Sequence, residues 1–120
     1  MKVAVVGSRT INADISAYMP EGIDEIITGG AEGIDSSAER FADRKFISKH
    51  IIRPDYEKNG KSAPIIRDKR IVELADLVVA FWDGESSGTA FTVKYARKIG
   101  KPVKIWMLKK GSRDMFGAYE

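Results

Sequence analysis

Small residues at positions 84, 86, 87 and 88 follow the apolar run Leu77-Val78-Val79-Ala80-Phe81-Trp82 and precede a stretch with helical spacing. Such a turn lets backbone N–H groups approach an anion closely, and a helix beginning there adds the positive end of its dipole. The chemistry it suits is capture of a phosphate-bearing ligand, with Asp83, Gly84, Ser86, Ser87, Gly88 and Thr89 as candidate contacts. Thr89 either gives its hydroxyl to a phosphate or caps its own helix. Two further glycine turns follow apolar runs, Gly7-Ser8-Arg9 and Gly29-Gly30-Ala31-Glu32-Gly33. Their glycines bring backbone donors to a ligand or serve tight strand-to-helix packing. Arg9, Arg67 and Arg70 are the candidate guanidinium partners of phosphate, and Arg67 and Arg70, three apart, share a helix face. Their alternative is a solvated surface.

Several chemistries are disfavoured by what is missing. The chain has no Cys and a single His, His50, which removes disulfides, thiolate metal sites and imidazole clusters; no metal site and no required cofactor is expected. Neither the G-x-G-x-x-G dinucleotide fingerprint nor a G-x-x-x-x-G-K-[ST] P-loop occurs. The longest apolar run is far short of the roughly 20 residues of a membrane helix, and Met1-Lys2 leads directly into Val3-Ala4-Val5-Val6, which suits a first strand rather than a secretory signal. A cytoplasmic protein without membrane contact is expected. The net charge of +3 is uneven: residues 1–43 hold 3 basic and 8 acidic side chains, residues 44–70 hold 9 and 3, and residues 71–120 hold 8 and 6. The basic middle either attracts phosphates or forms a solvated face.

The elements that must position these residues alternate. Strands are predicted over residues 1–7, 24–28, 50–53, 77–82 and 103–108, with helices over 33–46, 64–75 and 89–99. A short helix is read between 11 and 19, broken by Pro20 and Gly22. In the 64–75 helix the apolar set is Ile65, Ile66, Ile71, Val72, Leu74 and Ala75, and Ser62 is a cap candidate. Residues 55–63, polar and with Gly60, read as a loop whose Lys58, Asn59 and Lys61 are placed to close over a ligand. Residues from about 111 are unassigned. This alternation implies a single α/β domain over 1–120, a Rossmann-like three-layer α/β/α sandwich with a five-stranded, mainly parallel sheet. Ligands in such sheets bind beyond the carboxyl ends of the strands. Trp82 either stacks on a base or packs at the edge of the core, and His50 reads as structural or solvent-facing.

Four blocks then resemble a known group. Val5-Val6-Gly7-Ser8-Arg9, Thr28-Gly29-Gly30-Ala31-Glu32-Gly33-Ile34-Asp35, Ile66-Arg67-Asp68-Lys69-Arg70 with Ala75-Asp76-Leu77-Val78-Val79, and Ser87-Gly88-Thr89 with Lys98-Ile99-Gly100-Lys101-Pro102 resemble the SLOG superfamily, more narrowly its YspA/YpsA-related branch. The resemblance implies binding of a nucleotide or nucleotide-derived ligand through the second and fourth turns, adds Glu32 and Asp35 to the candidate contacts, and implies a homodimer, for which Phe91 and Tyr95 are interface candidates. Lonely Guy phosphoribohydrolases, which are relatives, carry P-G-G-x-G-T-x-x-E at the fourth turn. Gly88-Thr89 match, but Thr92 stands at the glutamate, and N-glycoside cleavage normally needs a carboxylate; Asp83, Glu85 and Asp35 are the substitutes available. The DNA-processing relative DprA has arginine where this chain has Glu32, so single-stranded nucleic acid is disfavoured as a partner. Binding, for sensing or processing, is the expected function, with N-glycoside hydrolysis the alternative.

Overall fold

A computed structural model of the chain describes residues 1–108 and the backbone of 115–119. Its order is β1 (Lys2–Gly7), β2 (Glu25–Thr28), α1 (Ile34–Arg44), β3 (Ser48–Ile51), α2 (Tyr56–Asn59), α3 (Ala63–Leu74), β4 (Leu77–Trp82), α4 (Ser87–Lys98), β5 (Val103–Leu108) and β6 (Met115–Tyr119), with short 3-10 turns at Ser16–Tyr18 and Gly60–Ser62. The sheet runs β3-β2-β1-β4-β5-β6. Its first five strands are parallel, as the alternation of strands and helices requires, and β6 adds an antiparallel edge to β5. That sixth strand lies in the tail left unassigned by sequence. Residues 109–114 and 120 lie outside the described part.

Period-two alternation sorts the strand residues into two cores. Val3, Val5, Ile26, Val79 and Phe81 face α1 through Ile34, Ala38, Phe41 and Ala42, with Ile11, Ala13 and Ile15 of the β1–β2 connection filling the same layer. Ala4, Val6, Ile27, Val78, Ala80 and Ile105 face α3 and α4 through Ile71, Val72, Val93 and Ala96. The central strands β1 and β4 are thus buried on both faces, which is why they read as unbroken apolar runs. The result is the three-layer Rossmann-like arrangement. None of the described helices is long and apolar enough to cross a membrane.

Local departures from the sequence reading have physical causes. Residues 55–63 are not an open loop: the Asp55 carboxylate accepts the Lys58 N–H at 3.1 Å and caps the single turn α2, which Gly60 ends at φ +56°. Ser62 makes no capping bond to α3. Ile65 and Ile66 are 47% and 44% exposed, and the inward face of α3 is instead Ala63, Arg67, Ile71 and Val72, at spacings of four and one. β3 begins two residues earlier than the hydropathy run indicates, because its pairing with β2 starts at Ser48↔Glu25. Phe91 and Tyr95 are half-buried and stacked on one another, their ring centroids 6.3 Å apart.

A candidate ligand cleft at the carboxyl ends of β1 and β4

β1 and β4 are adjacent, yet the chain leaves β1 toward β2 and leaves β4 toward β5, on opposite sides. Connections that diverge from neighbouring parallel strands leave a crevice at their carboxyl ends. A cleft of about 560 Å³ opens there, within the usual range for small-molecule sites. Its floor depends on Gly7: a Cβ would sit 2.5 Å from the Phe81 carbonyl oxygen and 2.7 Å from Ile34 Cβ. Ser8, fully buried, ties three elements together. Its N–H donates to the Phe81 carbonyl (3.1 Å), its carbonyl accepts the Ile34 N–H (3.3 Å), and its Oγ accepts the Asp83 N–H (3.2 Å).

The turn after β4 is shaped by Asp83. Its Oδ1 accepts the N–H groups of Glu85 (2.8 Å) and Ser86 (2.9 Å), and its Oδ2 accepts the Thr10 hydroxyl (3.1 Å). Burial pushes this carboxyl up, but the Glu85 and Ser86 N–H groups and the Ser8 and Thr10 hydroxyls outweigh it and hold the group below the usual aspartate range. Asp83 is therefore an ionised scaffold whose acceptors are occupied. Ser86 caps α4, its Oγ accepting the Thr89 N–H (3.4 Å) and the Thr89 hydroxyl (3.1 Å). Trp82 Nε1 donates to the Ser86 carbonyl (3.0 Å) and the ring packs with the α3/α4 core, so Trp82 anchors the turn and does not line the cleft. Among the described residues no acceptor takes the N–H of Ser87 or Gly88; both residues are exposed and line the cleft.

The second glycine turn is arranged differently. At Gly29 the space of a Cβ is filled by the Arg67 guanidinium, with Nη1 at 2.5 Å; at Gly30 (φ +74°) it is filled by Arg53 Nη1 at 2.6 Å; at Gly33 (φ +75°) by the Ser8 and Arg9 carbonyl oxygens, both at 2.5 Å. Gly29, Gly30, Glu32 and Gly33 lie outside the cleft wall, and only Ala31 and Asp35 of this region reach it. Asp35 Oδ2 accepts the Ala31 N–H at 3.1 Å. Arg67 lines the cleft but is 8% exposed and committed: Nη1 donates to the Gly29 carbonyl (2.8 Å) and Nε to Asp68 Oδ1 (2.7 Å). Arg70 and Gly84 are exposed and outside the wall, as are Lys58 and Lys61, and half-buried Asn59 lies outside it too. His50 sits on the β3 edge, 3.7 Å from Glu25. The structure thus gathers Gly7, Ser8, Arg9, Asp35, Arg67, Asp83, Glu85, Ser86, Ser87, Gly88 and Thr89 around one cleft.

Asp68 and Thr92 are wall residues that sequence reasoning did not select as ligand contacts. Burial pushes the Asp68 carboxyl up and nearby Asp35 adds to this; Arg67 and Thr92 pull it back, and the group stays above the usual aspartate range. Thr92 lies one helical turn from the start of α4, its hydroxyl donating to the Gly88 carbonyl at 2.8 Å. The available signal for Asp68 was its adjacency to Arg67, which alternation and motif spacing do not weigh. Among the described residues no group of three or more His, Cys, Asp or Glu is placed to hold a metal ion.

No family model matches the chain, and no solved structure matches it. It is 34% identical over 84 residues to the Gene 61 protein of Mycobacterium phage D29, an alignment covering 65% of this chain and 67% of that protein.

Proposed function

The chain belongs to one family with the Gene 61 protein of Mycobacterium phage D29, and for it we propose that the cleft binds a nucleotide or nucleotide-derived ligand through a phosphate group. The observation that carries this reading is the start of α4: two adjacent N–H groups, of Ser87 and Gly88, have no acceptor among the described residues and belong to residues lining a cleft of about 560 Å³ at the sheet's switch point. The twelve-residue helix behind them adds its positive end, and Arg9 on the wall adds an exposed cation. The four sequence blocks that resemble SLOG proteins support the same assignment, and we place the chain in that superfamily.

The test is thermal unfolding of the whole chain with AMP, GMP, CMP, UMP and ADP-ribose. A binding member at 100 times its Kd adds about 2.7 kcal/mol, a rise of several degrees in Tm. Gly88→Asp should keep the fold, since nothing lies within 4 Å of a Cβ there, and abolish the rise by placing a carboxylate where the phosphate docks. No shift with any member at millimolar concentration disproves the proposal.

A second reading, cleavage of a nucleotide N-glycosidic bond, is favoured by Asp68. A half-buried carboxyl that burial pushes above the usual aspartate range, and that is paired with Arg67, stands beside Thr92, one α-helical turn (about 6 Å) along from Gly88, a distance a pentose spans. Under this reading Asp68 gives its proton to the leaving base and water adds at C1′, releasing its own proton to solvent. Free base should accumulate with nucleoside monophosphates, and Asp68→Asn should slow release by about a hundredfold or more. Equal release by the variant and the parent protein rules out this role.

A further inference from the structure

The charges lining the cleft are unequal. Asp35, Asp83 and Glu85 are set against Arg9, while Arg67 and Asp68 offset one another as an ion pair whose guanidinium is also bound to the Gly29 carbonyl. The two helix starts suit an anion unequally. At the start of α1 the Ile34 N–H is taken by the Ser8 carbonyl, and the Asp35 carboxylate stands in the first turn, its Oδ2 on the Ala31 N–H, where it repels an anion approaching that turn. The first turn of α4 holds no acidic residue and is the docking point. A ligand whose phosphate sits at Ser87 and Gly88 therefore extends toward a wall that, among the described residues, carries carboxylates and no uncommitted guanidinium beyond Arg9.

Resting on the reading above, we propose that Asp35 and Asp68 are specificity-determining residues that limit the ligand to one phosphate group and turn its hydroxyl-bearing sugar toward the wall between α1 and α3. A second phosphate meets like charge in a partly enclosed space. At about 6 Å from a carboxylate, one added negative charge weakens binding by about threefold to a hundredfold, depending on how much water screens the pair. A sugar hydroxyl instead donates to a carboxylate. Asp35 Oδ1 has no donor among the described residues and is available for such a bond. Hydrogen bonds to charged groups have magnitudes that correspond to a loss of about ten- to a hundredfold when the hydroxyl is removed.

The experiment is calorimetric titration of the full chain, in EDTA, with AMP, ADP, ATP and 2′,3′-dideoxy-AMP, for the parent protein, Asp35→Asn and Asp68→Asn, at 50 mM and 500 mM salt. We expect ADP and ATP to bind at least tenfold more weakly than AMP, dideoxy-AMP to be weakened similarly, and each variant to narrow the AMP-to-ADP ratio by threefold or more. Added salt should narrow that ratio in the parent protein and change it less in a protein carrying both Asp35→Asn and Asp68→Asn, a response that a merely structural role for the two aspartates does not give. Asp68→Asn keeps an amide oxygen for Arg67 Nε, and Asp35→Asn serves as the independent variant should that substitution unfold the chain. If ADP binds as tightly as AMP to the parent protein, or if the ratio is the same in both variants, the proposal is overturned while phosphate binding stands. If none of the nucleotides binds, the reading it rests on fails as well.

Discussion

Gly33 and Gly88 are glycines for different reasons. At Gly33, φ is +75° and a Cβ would press on two backbone carbonyl oxygens at 2.5 Å, neither of which can swing away. Gly33→Ala is therefore expected to cost about 4 kcal/mol or more in urea unfolding, the tail of the mutational distribution where strain and overlap combine. Gly88 has open space around it within α4, so Gly88→Ala should leave stability unchanged or raise it by about 0.5 kcal/mol. Asp83 gives the residue scale its pH dependence. Its folded carboxyl lies below the usual value, so its stabilisation is complete above the unfolded aspartate pKa and is lost as pH falls through the depressed folded one. Asp83→Ala leaves the Glu85 and Ser86 N–H groups without their acceptor and should cost about 1–2 kcal/mol at pH 7, with the difference shrinking below pH 4 in thermal scans.

At the scale of elements, α3 is the instructive case. Its hydropathy places Ile65 and Ile66 in the core, yet Arg67 occupies an inward position because the Gly29 carbonyl and Asp68 satisfy its guanidinium. A buried, paired arginine rotates the apparent apolar face. Ile71→Ala should accordingly cost about 2–5 kcal/mol, whereas Ile66→Lys should stay within about 0.5 kcal/mol of the parent protein by chemical unfolding. α2 escaped a hydropathy reading for another reason: one turn capped by Asp55 buries nothing and so leaves no periodic trace. The strands were legible in sequence because β1 and β4 are covered on both faces. β6, the antiparallel edge Met115–Tyr119, is apolar in sequence but short and interrupted by Gly117, and no helical crossover announces it.

Over the whole molecule, carboxylates pull the acid response in opposite directions. Asp14, Asp24 and Asp83 are held below the usual range by hydrogen bonds from Ser16, from the chain's amino terminus and from the β4 turn, and each stops stabilising the fold as pH falls through its folded value. Asp68, held high by burial, has the reverse sign: its folded form binds a proton first, so its contribution is fully present below the unfolded value and is lost as pH rises through the folded one. Asp68→Asn should therefore remove a stability loss that the parent protein shows on going from below pH 4 toward neutrality, visible as a flatter Tm profile on the alkaline side of pH 4.

The amino-acid sequence by itself determined the five parallel strands, the three long helices that cover them and the three glycine turns at strand ends, because runs of apolar residues and residues with special φ/ψ are local features. Strand order decided the rest. Only the order β3-β2-β1-β4-β5-β6 brings Gly7-Ser8-Arg9 and Asp83–Thr89 to one crevice, and only side-chain packing decides that Arg67 fills the space over Gly29 while Asp68 turns to the wall beside Thr92. Residues such as Ser8 and Asp83, which meet across 75 positions of chain, do so through the burial of both sheet faces, a collective energy that no single stretch of sequence carries.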